Sequence, residues 1–337
     1  MSGFRFAAIA AIGGAFVLMA GAAMAQVDMD AAKKEGKVSW YTSTPIATAQ
    51  KIAKAFEADT GIRVELFRSG GTAVLSRFMQ EYDAKRIAAD VLTTSDPAAA
   101  NSMAQKGMFV PFKPKDFDKV PDAAKDKDGQ HVAQRLNMIT IYARTDKIAV
   151  GDLPKAWTDL TNAKYKGQMV MPNPSFTSLQ VSVVGTLSKK LGWDYYQKMQ
   201  KNDVMVVQGN EQVLDMVKRG ERLIAAGALD SYAGDARAEG HKIVSIFPTD
   251  GTFVIASPTS IIKGSPNPNA AKAFADYMLS EKAQKMFPED GGYAARIDIE
   301  PPKGSPAVKD LVILGVDFTQ IDKDTPMIKE KFNELFQ

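Results

Sequence analysis

The sequence predicts an α/β protein whose two lobes face each other across a cleft, and three observations carry that prediction. Strand-like and helix-like segments alternate along nearly the whole chain, the pattern of a mainly parallel sheet with helices on its faces. The alternation starts afresh near residue 140 and is left again near residue 250, so the chain crosses between the two units at least twice. Its 337 residues, 45% hydrophobic and 24% charged, are enough for two folded units of roughly 100–200 residues each.

The first unit opens with Lys37-Val-Ser-Trp-Tyr-Thr as a strand. Ala49, Ile52, Ala53 and Phe56 follow at helical spacing, and Gly61 suits the left-handed turn that ends a helix. Residues 62–67 read as the second strand and 73–85 as the second helix, with Val74, Phe78 and Met79 on one side. A third strand (90–94) and a third helix (98–105, closed by Gly107) continue the pattern. Pro111, Pro114 and a Lys/Asp-rich stretch to Gly129 then mark an exposed connection. The strand 134–143 leads to the second unit, with a short strand near 165–171, a helix from Ser175 to Leu191 and another over 193–200. A strand at 204–207, a helix over 211–219 stopped by Gly220 and a strand at 223–226 complete it. Residues 243–247 and 251–256 read as the way out, and helices over 269–279, 281–287 and 326–335 end the chain. The expected division is residues 26–140 and 251–337 in lobe 1 and residues 141–250 in lobe 2.

Residues 1–25 read as a cleaved secretory signal. One cation, Arg5, precedes an apolar run from Phe6 to Ala20, and Ala23-Met24-Ala25 supplies the small residues that a signal peptidase requires. The run is about 15 residues, short of the ~20 that a membrane span needs. No Cys follows for lipid attachment. A free soluble protein of the periplasm, cleaved near Ala25, is expected.

Composition removes several function classes. The 42 Lys and Arg against 39 Asp and Glu leave a net +3, interspersed so that neither a nucleic-acid stripe nor a polybasic membrane patch forms. With no Cys there is no disulfide, thiol nucleophile or zinc–thiolate site. The two histidines, His131 in a charged loop and His241 after Gly240, read as solvent-facing. No G-x-S-x-G elbow supplies a triad serine, and no phosphate-binding G-x-x-x-x-G-K-[ST] loop occurs. Binding remains open, as does catalysis by carboxylates, Tyr or Lys.

Several segments follow one another in a telling order: Val38-Ser-Trp-Tyr-Thr-Ser, Phe56-Glu-Ala-Asp-Thr-Gly-Ile-Arg-Val, Ala89-Asp-Val-Leu, and Pro154 through Trp157-Thr-Asp-Leu to Tyr165-Lys-Gly. Phe247-Pro-Thr-Asp-Gly-Thr, Pro266-Asn-Pro-Asn-Ala-Ala-Lys-Ala-Phe, Leu279-Ser-Glu-Lys-Ala-Gln and Gly291-Gly-Tyr continue it. The chain thereby resembles the family 1 extracellular solute-binding proteins, the periplasmic receptors of ABC importers. That resemblance implies the type II periplasmic-binding-protein fold, two α/β lobes joined by a hinge around a ligand cleft. It implies a non-enzymatic receptor without cofactor, acting as a monomer. Its partners would be a small-molecule solute, the transmembrane subunits of an ABC permease and, in a sensing role, a chemoreceptor.

The branch it resembles contains receptors for ferric ion, polyamines, sugar phosphates and phosphonates. Ferric binding there uses a His after the first strand, a Glu after the third and two adjacent Tyr in the second lobe. Here those positions fall at Ser43-Thr44-Pro45, near Ser95, and at Ser231-Tyr232, which leaves one phenol. Ferric iron needs anionic oxygen donors, and hydroxyls replace them poorly. The adjacent Tyr195-Tyr196 lies inside a helix, where neighbouring side chains point about 100° apart, and reads as packing plus surface.

The loops Thr42-Ser43-Thr44, Arg68-Ser69-Gly70-Gly71-Thr72 and Thr94-Ser95-Asp96 stand where strand gives way to helix. Pro174-Ser175-Phe176-Thr177-Ser178 opens a helix in the same way. Ser, Thr and Gly also serve there simply as caps and turns. Ligands in open α/β sheets nevertheless lie beyond the carboxyl ends of the strands, and helix N-termini suit anions. Arg68 can fork onto a phosphate or carboxylate. The expected ligand-binding set is Thr42, Ser43, Thr44, Arg68, Ser69, Gly70, Ser95, Ser175, Thr177, Ser231 and Tyr232, with no catalytic residue. No metal is expected unless Tyr232 serves ferric iron. The expected solute is small, polar and anionic: a phosphonate, phosphate ester or carboxylate. Ferric iron or a ferric chelate is the alternative. An exported glycosidase, which needs two carboxylates about 5–10 Å apart, is the remote one, and no such pair is identifiable.

Overall fold

The computed structural model describes residues 27–336; the signal reading of residues 1–25 and the start at Gln26 lie outside them. A helix absent from the sequence reading, α1 (Met29–Glu35), is capped by Asp28 and ended by Gly36 at φ 72°. Then come β1 (Lys37–Thr42), α2 (Ile46–Thr60), β2 (Arg63–Arg68), α3 (Gly71–Asp83), β3 (Val91–Thr93), α4 (Pro97–Gln105) and β4 (Phe109–Val110). Ala49, Ile52, Ala53 and Phe56 form the buried stripe of α2 that their spacing demanded. Asp96 caps α4, accepting from the Ala99 N–H at 3.0 Å.

The long strand β5 (Val132–Arg144) leads to β6 (Met169–Pro172), α5 (Ser178–Leu191), α6 (Asp194–Lys201), β7 (Met205–Val207), α7 (Asn210–Arg219), β8 (Ile224–Leu229), α8 (Asp230–Ala238) and β9 (Ile243–Ile246). A second long strand, β10 (Phe253–Ile262), returns. It is followed by α9 (Pro268–Met278), α10 (Glu281–Glu289), β11 (Tyr293–Ala294) and α11 (Phe318–Phe336).

One sheet runs through the molecule in the order β2-β1-β3-β10-β5-β8-β6-β7. Its two ends are parallel, as βαβ connections require: β1 pairs β2 from Lys37↔Arg63 to Thr42↔Arg68, and β6 pairs both β7 and β8. The centre departs from the mainly parallel expectation. β5 and β10 are antiparallel to each other and to their outer neighbours, with a register shift between Ala256 and Pro258. These strands carry the chain from one end of the sheet to the other and back, so the only covalent route between the two layers of helices is a pair of extended strands and the segment before α11.

Separate hydrophobic clusters lie at the two ends. Trp40 and Phe56 pack edge-on against Phe274 of α9, with ring centroids 5.1 and 5.0 Å apart, within the cluster under β1 and α2. Trp157, Tyr165, Tyr196 and Val217 belong to the cluster around β6 and β8. Tyr195 and Tyr196 are both buried there, edge to face at 5.0 Å, so both pack and neither takes the surface half of the role expected of the pair. The segment 251–337, expected to return to lobe 1 as a block, is divided by this packing. α9 sits on the first cluster, whereas Ile321, Ile328 and Phe332 of α11 join the second. α11 also starts at Phe318 rather than at Pro326, because the apolar stripe continues through the proline, which lies inside the helix. His131 is likewise not solvent-facing: it is buried, its Nε2 lies 2.9 Å from Asn101 Oδ1, and burial pushes its pKa down.

Candidate functional site

Between the sheet ends the loops after β1, β2 and β3 meet the segments that open α5, α7 and α8, and about 130 Å³ remains open. The loop after β1 is set from beneath. Thr42 Oγ1 and Gln134 Nε2 both donate to Thr44 Oγ1, at 2.8 and 2.6 Å, and all three residues are buried. This network holds the Thr44 carbonyl where Arg68 Nε donates to it at 3.1 Å. Thr42 and Thr44 thus shape the loop, while Ser43 faces the cavity.

Ser95 is the hub of the next layer. Its Oγ lies 2.9 Å from Ser257 Oγ and 3.3 Å from Ser43 Oγ, and Asn137 Nδ2 donates to Ser257 Oγ at 2.8 Å. Arg135 of β5 donates to Ser95 Oγ through Nη2 at 3.4 Å. That is its one side-chain hydrogen bond among the described residues. It is 4% exposed, and among the described residues its Nε has no partner and it forms no ion pair. Burial pushes its pKa down to about 10, with Tyr232 opposing and Arg68 adding to the shift. A guanidinium that stays charged at neutral pH, buried and without a counter-ion among the described residues, is an expensive arrangement.

Arg68, at the end of β2, reaches across the cleft. Its Nη1 lies 2.8 Å from Glu211 Oε1 in the first turn of α7, and its Nη2 donates to Tyr232 Oη at 3.4 Å. Tyr232 Oη in turn donates to the same Glu211 oxygen at 3.2 Å. Burial pushes the Tyr232 phenol well above its ordinary range, with Arg68 opposing and Glu211 reinforcing, so the phenol is neutral. The two sides touch elsewhere too. Ser178 Oγ donates to the Ser95 carbonyl at 3.4 Å, and a Cβ on Gly70 would stand 2.6 Å from the Phe176 ring and 2.9 Å from its carbonyl oxygen. Only glycine permits that approach.

Of the residues expected from sequence, Ser43, Arg68, Gly70, Ser95, Thr177 and Tyr232 come together on the cavity. Ser69 lies beside it, its N–H donating to the Thr42 carbonyl. Ser175 is exposed and turns to Asn333 of α11, 3.5 Å away, because the Asn173 side chain holds its N–H in a turn. Ser231 points away from the cavity, against Gly292, with its Oγ buried and unpartnered. Asp230 lies behind as well, accepting from Thr140 Oγ1 at 3.0 Å.

Sequence reasoning missed Arg135 and Glu211. The signal for Arg135 was present: Gln134-Arg135 and Asn137 interrupt an otherwise apolar strand, and a cation there must be either paired or used. Glu211 gave none, since an acidic residue in a first helical turn is the usual complement to the helix dipole. Among the described residues no group of three or more His, Asp or Glu is placed to hold a metal ion.

Comparison with known proteins follows the same lines. Residues 87–324 match the family model of bacterial extracellular solute-binding proteins. A Salmonella typhimurium periplasmic protein named for 2-aminoethylphosphonate binding is 25% identical over 279 residues, 79% of this chain and 77% of that one. An Fe(3+)-binding periplasmic protein of Serratia marcescens is 22% identical over 325 residues, 92% of this chain and 94% of that one. Among solved structures, the periplasmic binding protein AfuA of Actinobacillus pleuropneumoniae, with exogenous fructose-6-phosphate bound, superposes with a TM-score of 0.79. It is 19% identical, and the match covers 89% of this chain and 98% of that one. The likeness shows the fold: two α/β lobes joined by a hinge around a cleft.

Proposed function

The chain belongs to the bacterial extracellular solute-binding proteins, and on that premise we propose that the solute it hands to its ABC importer is a compact oxyanion of the phosphonate, phosphate-ester or carboxylate class. The observation that carries this reading is Arg135, buried without a counter-ion among the described residues, in a cavity that also holds Arg68 and the hydroxyls of Ser43, Ser95 and Thr177 and whose carboxylate, Glu211, is engaged with Arg68. Arg135 and Arg68 would fork onto the anion. Ser43, Ser95 and Thr177 would fill its remaining acceptor sites, and the N-terminus of α5 would add its unpaired N–H groups. Open lobes admit the solute, closure buries it, and the closed form docks on the permease.

The relatives named for aminoethylphosphonate and solved with a sugar phosphate support an oxyanion as cargo. Ferric iron suits these donors less well. It would have Tyr232 as its single phenol, with no group of carboxylates beside it among the described residues, and it would sit beside two guanidinium groups.

Calorimetry and thermal-shift measurements on wild type and Arg135→Met test the reading, with inorganic phosphate, methylphosphonate, 2-aminoethylphosphonate, fructose 6-phosphate, citrate, ferric citrate and a polyamine. At least one oxyanion should raise the melting temperature of wild type, since binding at 100 times Kd adds about 2.7 kcal/mol. Arg135→Met should weaken that oxyanion at least about 100-fold, as expected for a buried charged contact worth about 3 kcal/mol. A shift with the polyamine alone would sink the proposal. So would a visible iron charge-transfer band that disappears in Tyr232→Phe.

A further inference from the structure

We infer that Glu211 is an internal stand-in for the solute's anionic head: in the empty protein its carboxylate occupies Arg68 and ties the two lobes together, and the solute must displace it. This rests on the oxyanion reading of the cleft.

The geometry is that of a replaceable ligand. A carboxylate offers a guanidinium the same pair of oxygens that a phosphonate or a substrate carboxylate would. Glu211 comes from α7 on one lobe and Arg68 from β2 on the other, so their 2.8 Å contact spans the cleft. The grip is partial. Glu211 Oε1 alone receives both Arg68 and Tyr232, and the side chain is 51% exposed, so it can swing out to water without being stranded. Arg68 would not be stranded during the exchange either, because its Nε keeps the Thr44 carbonyl.

Glu211 also leaves the deeper half of the site untouched. It makes no ion pair with Arg135, whose Nε stays unpartnered. A free anion small enough to reach past Arg68 engages both guanidinium groups, while the tethered carboxylate engages one. That difference in interaction lets the solute win the exchange, and it is the only kind of difference by which a ligand can shift such an equilibrium. The neutral Tyr232 phenol serves both occupants, since it donates to whichever anion sits beside Arg68.

Two consequences separate this role from that of a residue that grips solute. Removing the Glu211 charge should loosen the empty protein, and it should improve oxyanion binding, because the competitor is gone. The experiment uses the mature chain as wild type, Glu211→Gln and Glu211→Ala. Small-angle scattering is recorded without ligand and with saturating phosphate or methylphosphonate, alongside calorimetric titration with the same two anions. Both variants should show a larger radius of gyration when empty and the wild-type radius when saturated. They should bind roughly tenfold tighter, within the usual range of a coupling between competing contacts. Weaker binding in both variants would make Glu211 part of the solute's grip and overturn the inference. An unchanged empty radius with unchanged affinity would overturn it as well, leaving the oxyanion reading intact. Absence of binding in all three proteins would overturn the displacement of Glu211 by these two anions, and the wider panel of oxyanions would decide the reading it rests on. The empty radius, which needs no solute, would still decide for or against the tie between the lobes.

Discussion

Arg135 and Arg296 are buried alike, 4% and 3% exposed, and stand close together in the fold, since Ala294 of β11 pairs with Arg135 of β5. Their surroundings differ completely. Arg296 forks onto Asp298 through Nε and Nη2, at 2.9 and 2.7 Å, while its Nη1 reaches both Asp116 Oδ2 and the Leu279 carbonyl at 2.8 Å. Arg135 has one long contact to a serine hydroxyl and an orphaned Nε. The pair at Asp298 pushes the Arg296 pKa up, whereas burial pushes that of Arg135 down to about 10. A buried cation with its full set of acceptors is part of the scaffold. One without them is where the proposed oxyanion would supply the missing acceptors.

The contrast breaks most visibly at Arg296. Arg296→Met leaves Asp116, Asp298 and the Leu279 carbonyl without their shared donor and should cost about 3 kcal/mol of unfolding free energy, toward the low end for a broken buried pair because both carboxylates are partly exposed. Denaturant midpoints read this directly. The pH dependence has a definite sign. Arg296 holds the Asp298 carboxyl down to about 2, below its ordinary 3.8. The folded state therefore binds that proton less readily than the unfolded chain, and the stabilisation is present above pH 4 and lost as pH falls toward 2. Wild type and Arg296→Met should converge over that window. A gap that stays constant to pH 2 would remove the ion pair from the account.

Arg135→Met should move stability the other way. Replacing an uncompensated buried charge by an apolar side chain of similar length relieves desolvation, and the empty protein should gain about 1–2 kcal/mol. The same variant should fail to bind oxyanion, so stability and function separate at this one residue. A loss of stability like that of Arg296→Met would show that Arg135 has structural partners after all and would erase the distinction between the two.

The difference between these arginines also shows what could be read from sequence. The parallel ends of the sheet followed from period and turn residues, because strand, cap and stripe are local properties. The antiparallel crossing of β5 and β10 did not, since pairing between residues more than a hundred positions apart leaves no local trace. The split of the last segment was hidden for a related reason: Pro326 reads as a helix start, while Ile321, Ile328 and Phe332 together show that the helix runs through it and onto the second cluster. Six of the expected site residues reached the cavity because loops at strand ends converge in this topology. Ser175, in the loop before α5, and Ser231, in the first turn of α8, lie beside cavity residues, yet their side chains point elsewhere, and that direction is set by contacts such as Asn173 and Gly292 that spacing does not encode. Arg135 and Arg296 were indistinguishable as letters. Their meaning depends on whether carboxylates, here the nearby Asp298 and the distant Asp116, fold against them.

The same contrast holds among carboxylates, with a smaller effect. Asp298 has its arginine. Asp235, on α8 a turn beyond Tyr232, has no ion pair among the described residues. Burial pushes its pKa up to about 6, Asp290 and Glu239 add to the shift, and Lys218 opposes it. Asp290 faces it from the end of α10 and is itself held by Lys51 at 3.3 Å, while Lys218 is shared with Glu239. The sign is opposite to that at Asp298. Between pH 4 and 6 the folded state binds the Asp235 proton more tightly than the unfolded chain does, so stability falls as pH rises through this range and levels off above it. Partial exposure screens the effect, which should amount to about 1 kcal/mol at neutral pH. Asp235→Asn abolishes the titration and should be more stable than wild type at pH 7 but not at pH 4. Unfolding midpoints at pH 4, 5, 6 and 7 test this. A difference between the two proteins that is the same at all four values would mean that Asp235 ionises in the fold as it does in the open chain, with Lys218 serving as its counter-ion.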